Sequence, residues 1–170
     1  RDLITGSYQN FGNETRLLHQ YMAGDNLYSL GAGVRVYRGY TTQAQGQANA
    51  GAGPDFHFLP NDSLMRSEFD FPSTNISAYA EHVFRFGKRF SVTPGVRYEF
   101  ISTKSDGYYN TSVEDRAGNL IRFEQNEDSQ DNSRQFVLAG IGGSFKPKDG
   151  LELYANYSQN YRAVTFSDMR

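Results

Sequence analysis

The sequence predicts an all-β fold that forms part of an antiparallel transmembrane β-barrel. Several segments of about ten residues alternate between apolar and polar side chains with the period of two that marks a strand. Short and long connections alternate between these segments, as they do in outer-membrane barrels. Aromatic residues make up 15% of the 170 residues, whereas hydrophobic residues reach only 38%. That combination fits a β protein with many polar positions and does not fit a disordered chain.

The clearest strand is the segment Phe90–Phe100, with the sequence FSVTPGVRYEF. One of its faces is wholly apolar or aromatic, and the other carries Arg97 and Glu99. In a membrane barrel the apolar face contacts lipid and the polar face lines the lumen. A soluble sandwich would show the same alternation, but its strands usually have only about 5–6 residues. Pro94 fits a position near the periplasmic rim, where β-bulges concentrate.

Five further segments have a similar pattern, although the first of them alternates poorly. Six strands do not close a membrane barrel, since known barrels begin at about eight strands. Open strand edges in lipid would leave backbone groups unpaired. We therefore expect residues 1–170 to be one incomplete barrel domain, about six strands of a larger barrel. The five other predicted strands cover residues 13–23, 28–41, 76–86, 134–146 and 151–162.

The connections between the predicted strands fall into two classes. Short turns containing Gly, Asp, Asn or Pro are predicted at 24–26, 87–89 and 147–150. Long loops are predicted at about 42–75 and 104–133, and a small hairpin is predicted within the second loop. We expect the short turns at the periplasmic end and the long loops at the extracellular end.

Charge and residue types argue against several classes of function. The net charge is −2 and no basic stripe is present, which weakens any nucleic-acid interpretation. The absence of cysteine excludes a disulfide framework and a thiolate metal site. The three histidines are scattered without metal-ligand spacing, so we expect neither an enzyme nor a resident cofactor.

Two stretches resemble TonB-dependent outer-membrane receptors, especially ferric-citrate-type members. They are FRFGKRFSVTPGVRYEFI (84–101) and LYANYSQNYRAVTFSDM (153–169). The resemblance implies a large barrel in the bacterial outer membrane, with an N-terminal plug domain that is absent from this chain. It also implies import of a ferric chelate, with iron present only in the cargo. The implied partners are outer-membrane lipid and the TonB energy-transducing complex, the latter through parts that are not in this chain.

Candidate ligand-binding residues are cationic or amide side chains, because many ferric chelates are anionic and arginine binds carboxylates in a bidentate manner. Alternation places Arg35 and Arg97 on the lumen face. Arg38 shares a face with Val34 and Val36 unless Gly39 marks a bulge. The opposing interpretation is that the lumen cations pair with carboxylates such as Glu81 and Glu99. The full candidate set is Arg35, Arg97, Asn160, Arg162, Arg38, Gln43 and Gln45.

Three other functions remain open at this point. The same scaffold could import a different substrate, such as an oligosaccharide or a peptide. A small structural or adhesive barrel would have no transport role. An outer-membrane barrel enzyme is disfavoured because no catalytic constellation is visible in the sequence. Fold alone does not decide among these functions.

Overall fold

A computed structural model describes residues 2–49, 56–60 and 64–161 of the chain. Six strands form one antiparallel sheet in chain order, which confirms the predicted all-β fold class. No helix in this part of the chain has the length and apolar character needed to cross a membrane. The strands are β1 (Asp2–Ala23), β2 (Asn26–Gln47), β3 (Met65–Phe86), β4 (Phe90–Glu114), β5 (Leu120–Lys148) and β6 (Leu151–Ser158).

Strands β1 to β5 are much longer than the alternation predicted, whereas β6 ends at Ser158, short of the predicted 151–162. Most of the predicted loop at 104–133 is strand, because β4 and β5 continue as one long hairpin that turns at residues 115–119. The predicted loop at 42–75 contains the ends of β2 and β3, and its connection runs from 48 to 64. Polar and glycine-rich composition suggested loops here, whereas cross-strand pairing satisfies the backbone of almost all of residues 42–47, 65–75, 104–114 and 120–133.

Both prolines within β3 and β4 coincide with gaps in the ladder between those strands. Pairing lapses around Pro72 and again around Pro94, and it resumes each time in the same register. Proline has no N–H to donate, so the hydrogen bonds fail locally while the register continues. The bulge considered at Pro94 is therefore not present, since a bulge would shift the register by one residue.

Residues that pair across strands share a face, so the register assigns both faces of the sheet. The face that carries Val34, Ala78, Tyr98 and Val137 is called the outer face below. Its apolar band on β3 runs from Phe86 to Ile76, ten residues apart. At about 3.3 Å per residue and a tilt near 40°, that distance corresponds to a band roughly 25 Å tall, which matches the hydrocarbon span of a membrane barrel.

Aromatic rings cluster at the lower end of the outer face, beside the short turns. Tyr21 stacks on Tyr28, with ring centroids 5.6 Å apart, and the His82 and Phe84 rings lie 4.0 Å apart. The Tyr21 hydroxyl and His82 Nε2 form a 2.8 Å hydrogen bond. Amphipathic rings of this kind form the girdles of membrane barrels at the lipid–water interface. His82 thus belongs to the rim of the band.

Candidate ligand-binding surface on the inner face

The inner face of the sheet is concave. A groove of about 550 Å³ is lined by residues from all six strands, which requires the sheet to curve around it. The groove lies at the level of the apolar band of the outer face, so its polar side chains sit behind the lipid-facing wall. Among the residues that line it are Glu14, Arg16, Arg35, Tyr79, Glu81, Arg97, Ser158 and Asn160.

Glu14 is the centre of a polar cluster that crosses three strands. Arg16 Nε donates to Glu14 Oε1 at 2.8 Å, and the Tyr79 hydroxyl of β3 donates to the same oxygen at 2.8 Å. The Tyr79 ring reaches Glu14 of β1 by lying over Gly33 of β2. A Cβ added to Gly33 would lie 2.6 Å from Tyr79 Cζ and 2.8 Å from the Thr15 carbonyl oxygen. Glycine at position 33 therefore makes the contact possible.

Arg97 and Glu99 form an ion pair on the same face of β4. Glu99 is 5% exposed and also accepts a hydrogen bond from Asn75 Nδ2 at 3.2 Å. Arg97 Nη2 donates to the hydroxyl oxygen of Ser77, a residue that is 0% exposed. A buried carboxylate needs such partners, because desolvation penalises its charge. Arg97 therefore helps to pack the barrel wall by pairing with Glu99. This is the alternative interpretation of the lumen cations, in which they pair with carboxylates of the wall.

Arg35 differs from Arg97 in its pairing. Within the described residues no carboxylate forms an ion pair with Arg35. Its side chain is exposed and borders a second pocket of about 300 Å³ on the inner face. Hydroxyl, amide and guanidinium groups surround that pocket, and Ile101 adds an apolar side chain. The polar side chains of the inner face at this pocket are Arg35, Tyr37, Ser73, Asn75, Arg97 and Thr103.

The predicted candidates do not form one site. Arg35, Arg97 and Asn160 line the same groove. Gln43 and Gln45 lie eight and ten residues further along β2 from Arg35, or about 26–33 Å at 3.3 Å per residue. Arg162 lies outside the described residues.

Arg38 requires a correction, because it pairs with Phe11 and Thr74 on the outer face. The register of β2 first shifts between Gln45 and Gly46, so no bulge at Gly39 turns Arg38 inward. Strict alternation holds instead, and the Arg38 side chain lies on the side of the sheet opposite the groove.

Sequence reasoning missed Glu14, Arg16 and Tyr79 as members of the surface. The opposite charges of Glu14 and Arg16, two residues apart on one strand, were a signal that they share a face. The part played by Tyr79 depends on the register that places it opposite Gly33, which no local pattern reveals. No group of three or more His, Cys, Asp or Glu residues suited to a metal ion occurs in the part of the chain that the structure describes.

Comparison with known proteins identifies the fold and the family. The family model described as "TonB dependent receptor-like, beta-barrel" matches residues 2–170. This chain belongs to that family. TonB-dependent receptor barrels reside in the bacterial outer membrane, so the outer face of this barrel segment contacts lipid. The family is one of TonB-dependent receptors and transporters.

Solved receptors show the same strand arrangement. The unliganded ferric citrate transporter FecA matches 98% of this chain and 22% of its own, with 19% identity and a TM-score of 0.74. The open form of the ferric-catecholate import receptor Fiu of E. coli K12 matches 90% of this chain and 25% of its own, with 16% identity and a TM-score of 0.65. The chain thus spans about a quarter or less of each receptor. No curated protein matches it.

Proposed function

We propose that this chain is a wall segment of a receptor that imports an anionic ferric chelate across the outer membrane. The family supports a TonB-dependent receptor, and the two similar structures bear the titles of a ferric citrate transporter and a ferric-catecholate receptor. The remaining barrel, the plug and the contact with the TonB complex would come from parts that are not in this chain. Iron enters this proposal only as cargo.

The observation that carries the proposal is the unpaired cation at the inner-face pocket. Arg35 has no ion-pair partner among the described residues, and it borders the pocket with the Tyr37 hydroxyl and the Asn75 amide. A chelate stripped of water needs compensation of its negative charge, and a planar guanidinium provides two parallel donors to a carboxylate. Arg97 borders the same pocket, but its guanidinium already forms an ion pair with Glu99. Arg35 is therefore the principal anion contact in our proposal.

Binding of ferric citrate to the full-length receptor tests this role. A charge-assisted hydrogen bond contributes roughly 1.5–3 kcal/mol, so Arg35→Gln is expected to weaken binding by about 10- to 150-fold. Arg38→Gln is the matched control, because Arg38 is on the same strand three residues away but faces outward. Equal affinities for the two variants would contradict the proposal. Loss of affinity in both would indicate a general charge effect instead of a contact.

We propose weaker ligand contacts for three amide side chains, those of Asn160, Gln43 and Gln45. Asn160 lines the groove near Arg35, and the two glutamines lie on the inner face of β2 closer to the extracellular end. We propose that they contact ligand before or beside Arg35. Substituting each by Ala is expected to weaken ferric citrate binding less than Arg35→Gln, because a neutral hydrogen bond contributes only about 0.5–1.5 kcal/mol. Isothermal titration with the full-length receptor measures the ranking.

A further inference from the structure

Glu14 and Arg35 stand directly opposite each other in the register of β1 and β2. Paired residues have Cβ atoms about 4.5–5.5 Å apart, which places opposite charges within easy reach of an ion pair. Yet no ion pair between them exists, and Glu14 is paired with Arg16 instead. The carboxylate stays within electrostatic range of Arg35, but a further contact besides Arg16 holds it in place.

Tyr79 makes that contact. Its hydroxyl donates to the same Glu14 oxygen that accepts from Arg16. Its ring lies across β2, the strand that carries Arg35. Gly33, two residues before Arg35, leaves the space for the ring. Arg16 alone is a weak anchor, because its side chain is 74% exposed and exposed ion pairs contribute little. The Tyr79 hydroxyl supplies a second bond of the same length, 2.8 Å.

We infer that Tyr79, lying over Gly33, is a positioning residue that holds Glu14 on Arg16 and so leaves the Arg35 guanidinium open to an anionic ligand. The positioning follows from the geometry of the cluster, and its consequence for ligand binding rests on the proposed function. When the hydroxyl is removed, Glu14 gains the freedom to pair with Arg35. The carboxylate then competes with the ligand for the same guanidinium.

Arginine-specific modification of the full-length receptor tests the positioning without any ligand. Phenylglyoxal reacts with guanidinium groups, and peptide mass spectrometry gives the rate at each arginine. An exposed ion pair contributes about 0.2–1 kcal/mol, so Tyr79→Phe is expected to slow modification of Arg35 by about 1.4- to 5-fold. Adding Glu14→Gln removes the competing charge and restores the rate. Heat-modifiable migration on gels establishes that every variant is folded.

Tyr98→Phe is the matched control for this assay. The Tyr98 hydroxyl also donates to a side chain on a neighbouring strand, Gln135 Oε1 at 3.0 Å, but it lies on the outer face and its acceptor carries no charge. Its substitution should leave the Arg35 rate unchanged. The inference is overturned if Tyr79→Phe leaves the Arg35 rate unchanged, if Glu14→Gln does not restore it, or if Tyr98→Phe slows it equally.

Ferric citrate binding by the same variants separates the inference from the proposed function. Tyr79→Phe is expected to weaken binding by the same small factor, and the double variant Tyr79→Phe/Glu14→Gln is expected to restore the affinity. In the Arg35→Gln background, Tyr79→Phe should leave the affinity unchanged. If modification follows the expected pattern while Arg35→Gln leaves ferric citrate affinity unchanged, Tyr79 positions Glu14 and the proposed function is wrong. If Arg35→Gln weakens binding but neither assay responds to Tyr79→Phe, the positioning inference is wrong.

Discussion

The strands carry their apolar side chains on opposite faces below and above Ile76, the residue at which the apolar band ends. Below Ile76 the outer face of β3 is apolar and exposed in the sheet, and the inner face carries Ser77, Tyr79 and Glu81. Above it the outer face of β3 carries Glu68 and Asp70. The buried aromatic residues there, Phe69 and Phe71, are 4% and 3% exposed and lie on the inner face.

This inversion shows that the surrounding medium determines which face is apolar. Within the bilayer the outer face meets hydrocarbon, so apolar side chains are favourable there and polar groups gather around the lumen. Beyond the bilayer both faces meet water, and the strands bury apolar rings on their concave side as a soluble sheet does. The alternation with a period of two continues past the end of the band, but the apolar side chains change from the outer face to the inner face.

The largest effect is expected from a charge placed in the band. Val96 is on the outer face and 51% exposed in the sheet. Val96→Arg should reduce the folding free energy into lipid by about 2–4 kcal/mol if its position is near the bilayer midplane. Ser102→Arg, on the same face of β4 but above the band, should cost near zero. Equal losses of folding free energy for the two variants, measured in folding titrations with lipid vesicles, would contradict an apolar band that ends below Ser102.

A comparable loss is expected inside the lumen when Arg97 is neutralised. Arg97→Gln leaves the buried Glu99 carboxylate without its cationic partner, at a cost of about 3 kcal/mol. Arg97→Gln/Glu99→Gln should recover most of that loss, because the uncompensated charge is gone. Denaturant-induced unfolding in lipid measures all three proteins. A double variant as unstable as Arg97→Gln would show that packing, and not charge, dominates at this pair.

A smaller, local effect is expected in the part of the hairpin above the band. A Cβ at Gly107 would overlap the Glu68 carbonyl oxygen and lie 2.7 Å from Phe69 Cα, so Gly107→Ala must separate β3 from β4 there. We expect a local cost of about 1–3 kcal/mol, seen as faster amide exchange near residues 67–70. Gly142→Ala, whose Cβ would meet its nearest atoms at 3.9 Å, should change exchange little. Unchanged exchange in both would refute the close approach.

The smallest effect concerns pH at the tip of the long hairpin. The Asn119 side-chain amide, aided by the backbone N–H groups of Asn119, Ala117 and Gly118, lowers the pKa of Asp115 below its ordinary value. A lowered folded-state pKa stabilises the turn at pH values above the unfolded value of about 3.9. That contribution is lost as pH falls through the lower folded value.

Amide exchange of Ala117 and Asn119 between pH 6 and pH 3 checks this sign, after correction for intrinsic exchange rates. Both amides donate to Asp115 Oδ1 at 2.8 Å. Their protection should fall toward pH 3 in the wild type and stay flat in Asp115→Asn. Protection that rises as the pH falls would contradict the assignment.

Local patterns predicted the lower half of the sheet well and the upper half poorly. In the segments around Val96 and Ala78, lipid on one side and polar groups on the other enforce strict alternation, so the faces were readable. In residues 104–133 both faces are wet, and the Asp- and Asn-rich composition is equally compatible with a loop. The strands there form because β4 and β5 are already aligned by their membrane segments, and the ladder continues beyond them.

The sequence by itself determined the fold class, the lipid-facing and lumen-facing sides within the band, the family resemblance and the inward direction of Arg35 and Arg97. Those properties depend on neighbours one or two residues away, and a period of two encodes them. Only the tertiary structure decided that Arg97 is paired with Glu99, that Arg35 is not paired, and that Tyr79 lies over Gly33 to reach Glu14. The Tyr79–Glu14 contact joins residues 65 positions apart, and the Arg97–Glu99 pair is held by Ser77 and Asn75 of the neighbouring strand, so both depend on cross-strand register.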